Sequence, residues 1–211
     1  MASILDLLNS DLGKQLVNGA SAQTGQPADK TSNVLSMALP FLIGAMKKNA
    51  STPDGAAGLL NALHGKHDGS ILDNLGGLFN GGVDDAVQKD GAGILGHILG
   101  GSQSNIENAL SQKSGMDAAS VAQILKVAAP ILMGVLGKQT RQSNVSDSGG
   151  LGSLLGSMMG GQAASQDQSF IESLLDADGD GSIIDDVAGM VLGGSKKKGG
   201  LGGLLGGLFG R

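Results

Sequence analysis

The chain has no cysteine, no tryptophan and no tyrosine, and its only aromatic side chains are four phenylalanines. Without cysteine there is no disulfide, thiol nucleophile or thiolate metal ligand, and no redox compartment is singled out. With so few aromatics, the core must come from close approach of small-residue helices. No run approaches the ~18 continuous apolar residues of a membrane span. No basic residue precedes the apolar stretch of the opening MASILDLLNSDLGKQL. That speaks against a secretory leader, so a soluble cytoplasmic protein is expected. Net charge is −5, and one short basic run, Lys196-Lys197-Lys198, reads as a solvated linker. Neither points to nucleic acid as a partner.

What is plentiful is glycine, 38 of 211 residues, more than double its usual share of about 7%. The glycines fall in register with Leu, Ile and Met, which separates them from featureless linker sequence. They also expose a repeat. VLSMALPFLIGAM (34–46) aligns with ILKVAAPILMGVL (124–136) at an offset of 90, Pro40 on Pro130 and Gly44 on Gly134. GSILDNLGGLFNGG from Gly69 aligns with GSIIDDVAGMVLGG from Gly181 at an offset of 112. The order is the same, with 22 more residues in the second copy, so the chain reads as an internal duplication. We divide it into an N-terminal helical unit (1–90), a second unit with a calcium-like loop (91–194) and a Gly/Leu/Lys-rich tail (195–211).

The units read as all-α. Ile4, Leu5, Leu8, Leu12 and Leu16 recur at helical spacing, predicting a helix over 3–19. Residues 29–48 and 117–138 are apolar nearly all round, which predicts central buried helices kinked by Pro40 and Pro130. Thr52 as N-cap with Pro53 at the first helical position predicts a helix over 53–63. A further helix is predicted over 71–79. No alternating strand pattern occurs. LGSLLGSMM (151–159), LGGLLGGLF (201–209) and GILGHILG (93–100) carry leucine stripes with glycine between them. At about 0.8–1 kcal/mol lost per glycine relative to alanine, such segments become helical only by docking on a partner.

Residues 176–186, DADGDGSIIDD, begin as a calcium-binding loop does. Asp176, Asp178 and Asp180 alternate so that three carboxylates turn inward, and Gly181 permits the sharp turn. Ser182 falls within the loop, and Asp185 or Asp186 replaces the usual bidentate Glu, since the twelfth position is Val187. These six residues are the candidate Ca2+ ligands. The competing reading is a capped turn without metal, but three acids within one turn repel one another unless a cation intervenes. In the first copy, HGKHDGSILDN, His64 and Lys66 take the first two ligand positions. No calcium is expected there. Asp68 and Gly69 should keep the turn, with a Lys66–Asp contact in place of the ion. His64, His67 and Asp68 form only a weak transition-metal pattern.

No nucleophile elbow, phosphate-binding loop or HExxH zinc motif is present, so no catalytic residue and no small-molecule substrate is assigned. Taken as a set, SILDLLNSDLG, ALPFLIGAMKKNASTPDGAAGLLNAL, HDGSILDNLGGL and GILGHILGG resemble the YidB-like bacterial family, domain of unknown function 937. The resemblance covers residues 3–140 and implies a helical bacterial protein without an established activity. It also implies an acidic first loop, from which this chain departs at His64 and Lys66. The expected function is a non-enzymatic structural or interaction protein, self-assembling into homo-oligomers or filaments through Leu/Gly helices. A calcium-responsive regulator, or a peripheral membrane protein attached through LGGLLGGLFGR, is the alternative.

Overall fold

The computed structural model describes residues 4–79 and 82–159. Within them the chain forms α1 (Ile4–Asn9), α2 (Asp11–Thr24), α3 (Ala28–Asn49), α4 (Pro53–His64), α5 (Leu75–Phe79), α6 (Asp85–Leu99), α7 (Gln103–Ser114), α8 (Ala118–Gln142) and α9 (Ser148–Met159), with 3-10 turns at Ser70–Asn74 and Gly100–Ser102. No strand occurs among the described residues. The fold is all-α.

The boundaries have local causes. The helix expected over 3–19 breaks at Ser10. Its hydroxyl donates to the Leu7 carbonyl at 2.6 Å and accepts the Gly13 N–H at 3.3 Å, capping α2 as α1 ends. At its other end α2 runs past the expected limit to Thr24 and stops at Gly25, in the left-handed region at φ +66°. The Ser21 hydroxyl donates to the Gln26 carbonyl across this turn, and Thr24 to the Ala20 carbonyl. α7, absent from the sequence reading, ends the same way at Gly115 (φ +64°). Ser111 donates to the Met116 carbonyl and Ser114 to that of Leu110. Each of these positions lies 90 residues after its counterpart. The long helices α3 and α8 follow the two turns and continue through Pro40 and Pro130.

α3 and α8 pack on each other at the centre, and α2 and α7 each touch both. α4 lies mainly on α8, α9 lies on α3, and α6 runs along α8. α4 of the first predicted unit and α9 of the second therefore each rest chiefly on the central helix of the other unit. Many of the most deeply buried side chains lie on these two helices, such as Leu35, Leu42 and Ile43 of α3 and Ile124, Leu125 and Ile131 of α8. Glycine brings the outer helices close: a Cβ on Gly91 of α6 would stand 1.8 Å from the Lys126 carbonyl oxygen of α8.

α8 has the length and apolar composition to cross a bilayer, although Lys126 interrupts its apolar run; 67% of its most apolar stretch is buried inside the protein. That is the pattern of a core helix. Its counterpart α3 contains one anomaly. The Thr31 hydroxyl is buried and has no hydrogen-bond partner among the described residues, whereas the residue 90 positions on is Val121, also fully buried. An unsatisfied buried hydroxyl costs about 1–3 kcal/mol. Thr31→Val is expected to raise the urea midpoint, by about 1 kcal/mol of stability; an unchanged or lower midpoint would show that the hydroxyl is satisfied in solution.

Candidate functional site: the charged loop after α4

The Thr52 hydroxyl accepts the Gly55 N–H at 3.1 Å and starts α4, with Pro53 in its first turn. α4 ends at His64. The Gly65 N–H returns to the Asn61 carbonyl and the His67 N–H to that of Ala62, so the chain curls back over its own last turn. Asp68 then accepts the Ser70 N–H at 3.0 Å, and Gly69 takes φ +102°, a conformation closed to most side chains. The 3-10 turn at Ser70–Asn74 and α5 stand where the sequence predicts one helix over 71–79.

This loop lies flat on α8 because α8 offers glycine there. A Cβ on Gly134 would stand 2.5 Å from Ile71 Cγ2, and one on Gly137 1.9 Å from the His67 carbonyl oxygen. Gly69 in turn sits against the Lys138 backbone and Cβ. The charged side chains pair off around the contact. Lys66 Nζ bonds Asp90 Oδ1 at 2.5 Å, and Arg141 Nη1 bonds Asp68 Oδ2 at 3.0 Å. His64 Nε2 lies 3.1 Å from the Val145 carbonyl, a hydrogen bond that requires the proton on Nε2. His67 is buried, with Nδ1 3.8 Å from Asp90 Oδ2, too far for a hydrogen bond.

Burial pushes the His67 imidazole below its ordinary value of 6.5; Asp90 pulls it back up and Lys66 adds to the depression. The Ser70 N–H and hydroxyl, with Arg141, hold the Asp68 carboxyl below the usual carboxylate range. The linkage for His67 has a definite sign. The unfolded chain takes up a proton near 6.5 and the folded chain only at lower pH, so the unfolded state binds more protons in that window and stability falls on acidification. The Asp68 contribution is present above 3.8 and is lost only as pH falls through the lower folded value. Between pH 7.5 and 5.5 the urea midpoint is therefore expected to fall further in the native chain than in His67→Gln. Equal falls would remove His67 as the cause.

Among the described residues no group of three or more His, Asp or Glu side chains is placed to hold a metal ion. His64 and His67 face different partners. The candidate calcium ligands Asp176, Asp178, Asp180, Ser182, Asp185 and Asp186 lie outside the described residues, as does 201–209. A cavity of about 10 Å3 between α1, α2, α3 and α8 is lined by Leu7, Leu8, Leu12, Gly13, Leu16, Leu39, Ile131 and Leu132. Its apolar wall offers nothing to polarise a substrate. Sequence reasoning found the turn residues Asp68 and Gly69 but missed Asp90, Arg141 and Gly137. Asp90 and Arg141 lie 24 and 73 residues from their partners, and no local pattern links them.

Residues 6–139, which span α2 to nearly the end of α8 and the whole loop, match the model of a family described as bacterial protein of unknown function (DUF937). The chain belongs to this family. No curated protein and no solved structure matches it. In this DUF937 protein the glycines that seat the loop, Gly134 and Gly137, fall inside the matched span, while α9 and the loop at 176–186 fall beyond it.

Proposed function

We propose that this DUF937 chain is a non-enzymatic structural protein that binds copies of itself through its Leu/Gly helices. In this reading it consists of two duplicated helical units, and a calcium ion held by Asp176, Asp178, Asp180, Ser182, Asp185 and Asp186 stiffens the second. The observation that carries the proposal is α9. Its sequence, SGGLGSLLGSMM, is too glycine-rich to be helical alone, yet it is a helix with Leu151, Leu154, Leu155 and Met158 buried against the body. A Leu/Gly stripe is thus a docking element in this chain.

Leu201, Leu204, Leu205 and Leu208 repeat that spacing fifty residues on. A segment of this kind needs an apolar surface. Half-buried Leu7, Leu8 and Leu12 offer one on the α1–α2 side. Of the residues 90 positions on from Leu7, Leu8 and Leu12, only Ile98 is apolar, the others being His97 and Ser102, so the corresponding side is less apolar. One chain's tail on the next chain's α1–α2 side is a heterologous contact, which closes into rings or grows into filaments. The paired charges of the 64–70 loop and the apolar cavity also fit a scaffold better than a catalyst.

Light scattering of the full chain and of a 1–194 truncation, each in calcium and in EDTA, tests this. The full chain is expected to be a large assembly and the truncation a monomer, with EDTA loosening the former. Two monomers in both buffers would end the proposal; an assembly indifferent to EDTA would end only its calcium part.

A further inference from the structure

Among the described residues α8 carries a loop and its counterpart α3 does not. On α8 the loop covers Gly134 and Gly137, which are buried, and reaches Lys138 and Arg141. Ninety residues earlier the same face of α3 and the turn after it present Gly44, Lys47, Lys48 and Ser51. Gly44 is only half-buried and the other three are exposed. The nearest atom to a Cβ built on Gly44 is the terminal methyl of Met159, at 3.9 Å. Among the described residues α9 borders this face, a Cβ on Gly156 lying 3.8 Å from Lys47 Nζ, but it leaves Lys47, Lys48 and Ser51 exposed.

The sequence supplies what would cover it. GSILDN (69–74) lies on α8, and its counterpart is GSIIDD (181–186), with Ile183 in the place of Ile71 and Ile184 in that of Leu72. The approach also corresponds. α4 ends beside Gly137, where a Cβ would meet the Leu63 carbonyl oxygen at 2.9 Å, and its loop follows. α9 runs beside the counterpart positions on α3, with Gly156 near Lys47, the counterpart of Gly137, and Met159 near Gly44, the counterpart of Gly134. Residues 160–180 give ample chain to reach any point on the face, at about 3.3 Å per extended residue. Charge agrees too. Asp68 of the first loop meets the cationic Arg141; the second loop's sequence carries Asp180, Asp185 and Asp186, and the α3 face bears Lys47 and Lys48.

The geometry points to residues 181–186 docking on α3, Ile183 over Gly44 and the flanking acids toward Lys47 and Lys48, as residues 69–74 dock on α8. One difference is built in. Lys47 stands where α8 has Gly137, and a Cβ at Gly137 would meet the His67 carbonyl at 1.9 Å. The second loop must therefore stand off at that end, where Gly179 takes the place of His67. The inference rests on the two sequence offsets and the exposed Lys47 and Lys48 of α3. It requires neither self-assembly nor a bound ion.

The absence of native cysteine makes the test direct. In the full chain, Lys48→Cys with Ser182→Cys is treated with a short bis-maleimide cross-linker. Lys138→Cys with Ser70→Cys is the reference, since Gly69 already touches Lys138. Both pairs are expected to link within one chain at similar rates. Adding Ile183→Asp should abolish the first link and leave the reference link intact. A reference link without a 48–182 link would overturn the inference, and so would a 48–182 link that joins two chains on a denaturing gel. Amide exchange of the unmodified protein gives an independent reading: 183–186 should be protected, and Gly44→Leu should remove the protection. Rapid exchange there in the native chain would also overturn it.

Discussion

Alanine at Gly137 or at Gly91 is expected to lower stability by about 1–3 kcal/mol, although both residues lie inside helices, where the same exchange ordinarily gains about 0.8–1 kcal/mol. The sign reverses because each glycine touches backbone. A Cβ on Gly137 would meet the His67 carbonyl at 1.9 Å and that of Leu63 at 2.9 Å; one on Gly91 would meet the Lys126 carbonyl at 1.8 Å. No rotamer change relieves such a contact. The loop, or the whole of α6, must move away from α8, and overpacking of that kind costs about 1–3 kcal/mol, occasionally more. Gly93 and Gly152 are the internal controls, since a Cβ at either meets nothing within 4 Å. Their alanine variants should gain up to about 1 kcal/mol. Urea midpoints at unchanged m-value measure all four. If Gly137→Ala and Gly91→Ala are neutral or stabilising, the close approach to α8 does not exist in solution.

Leu155→Ala is expected to cost about 2–5 kcal/mol, the range for emptying a fully buried leucine site. The effect should be local before it is global. With glycine at 149, 150, 152 and 156, α9 has little helix propensity of its own and is held by Leu151, Leu154, Leu155 and Met158. Amide exchange across 150–158 should accelerate in the variant while α8 stays protected. Ser153→Ala, on the exposed side of the same helix, should remain within about 0.5 kcal/mol of the native chain. Uniform acceleration through α3, α8 and α9 would instead mean that α9 does not open by itself.

The parts of this fold that can be read from sequence are those with local or repeated causes. Pro40 with Gly44 and Pro130 with Gly134 marked the two central helices, and Thr52 with Pro53 marked the start of α4. Asp68 and Gly69 announced their turn because both act within two residues. α7 is not legible because its sequence, QSNIENALSQKS, buries only Ile106 and Leu110 and, Ala109 apart, is polar elsewhere. Only the end of α6 carries a legible leucine stripe, since Asp90 and Gly91 interrupt its apolar pattern. Ser10 was hidden by the leucine spacing that runs straight across it. At the charged loop, the partners of Lys66 and Asp68 depend on how α6 and α8 come to rest beside it, and nothing near residues 66–68 encodes that.

The exchange of outer helices between halves sets a schedule for making the protein. A nascent chain releases α4 before any of α8 exists, so the apolar side of α4, with Leu63, has no lasting place to rest until translation has passed residue 142. α3 likewise waits for α9. α3 and α4 thus emerge with apolar surface that α8 and α9 cover only later, in contacts between segments far apart in the chain. Such long-range closure slows folding and lengthens the time in which half-made chains can stick to one another.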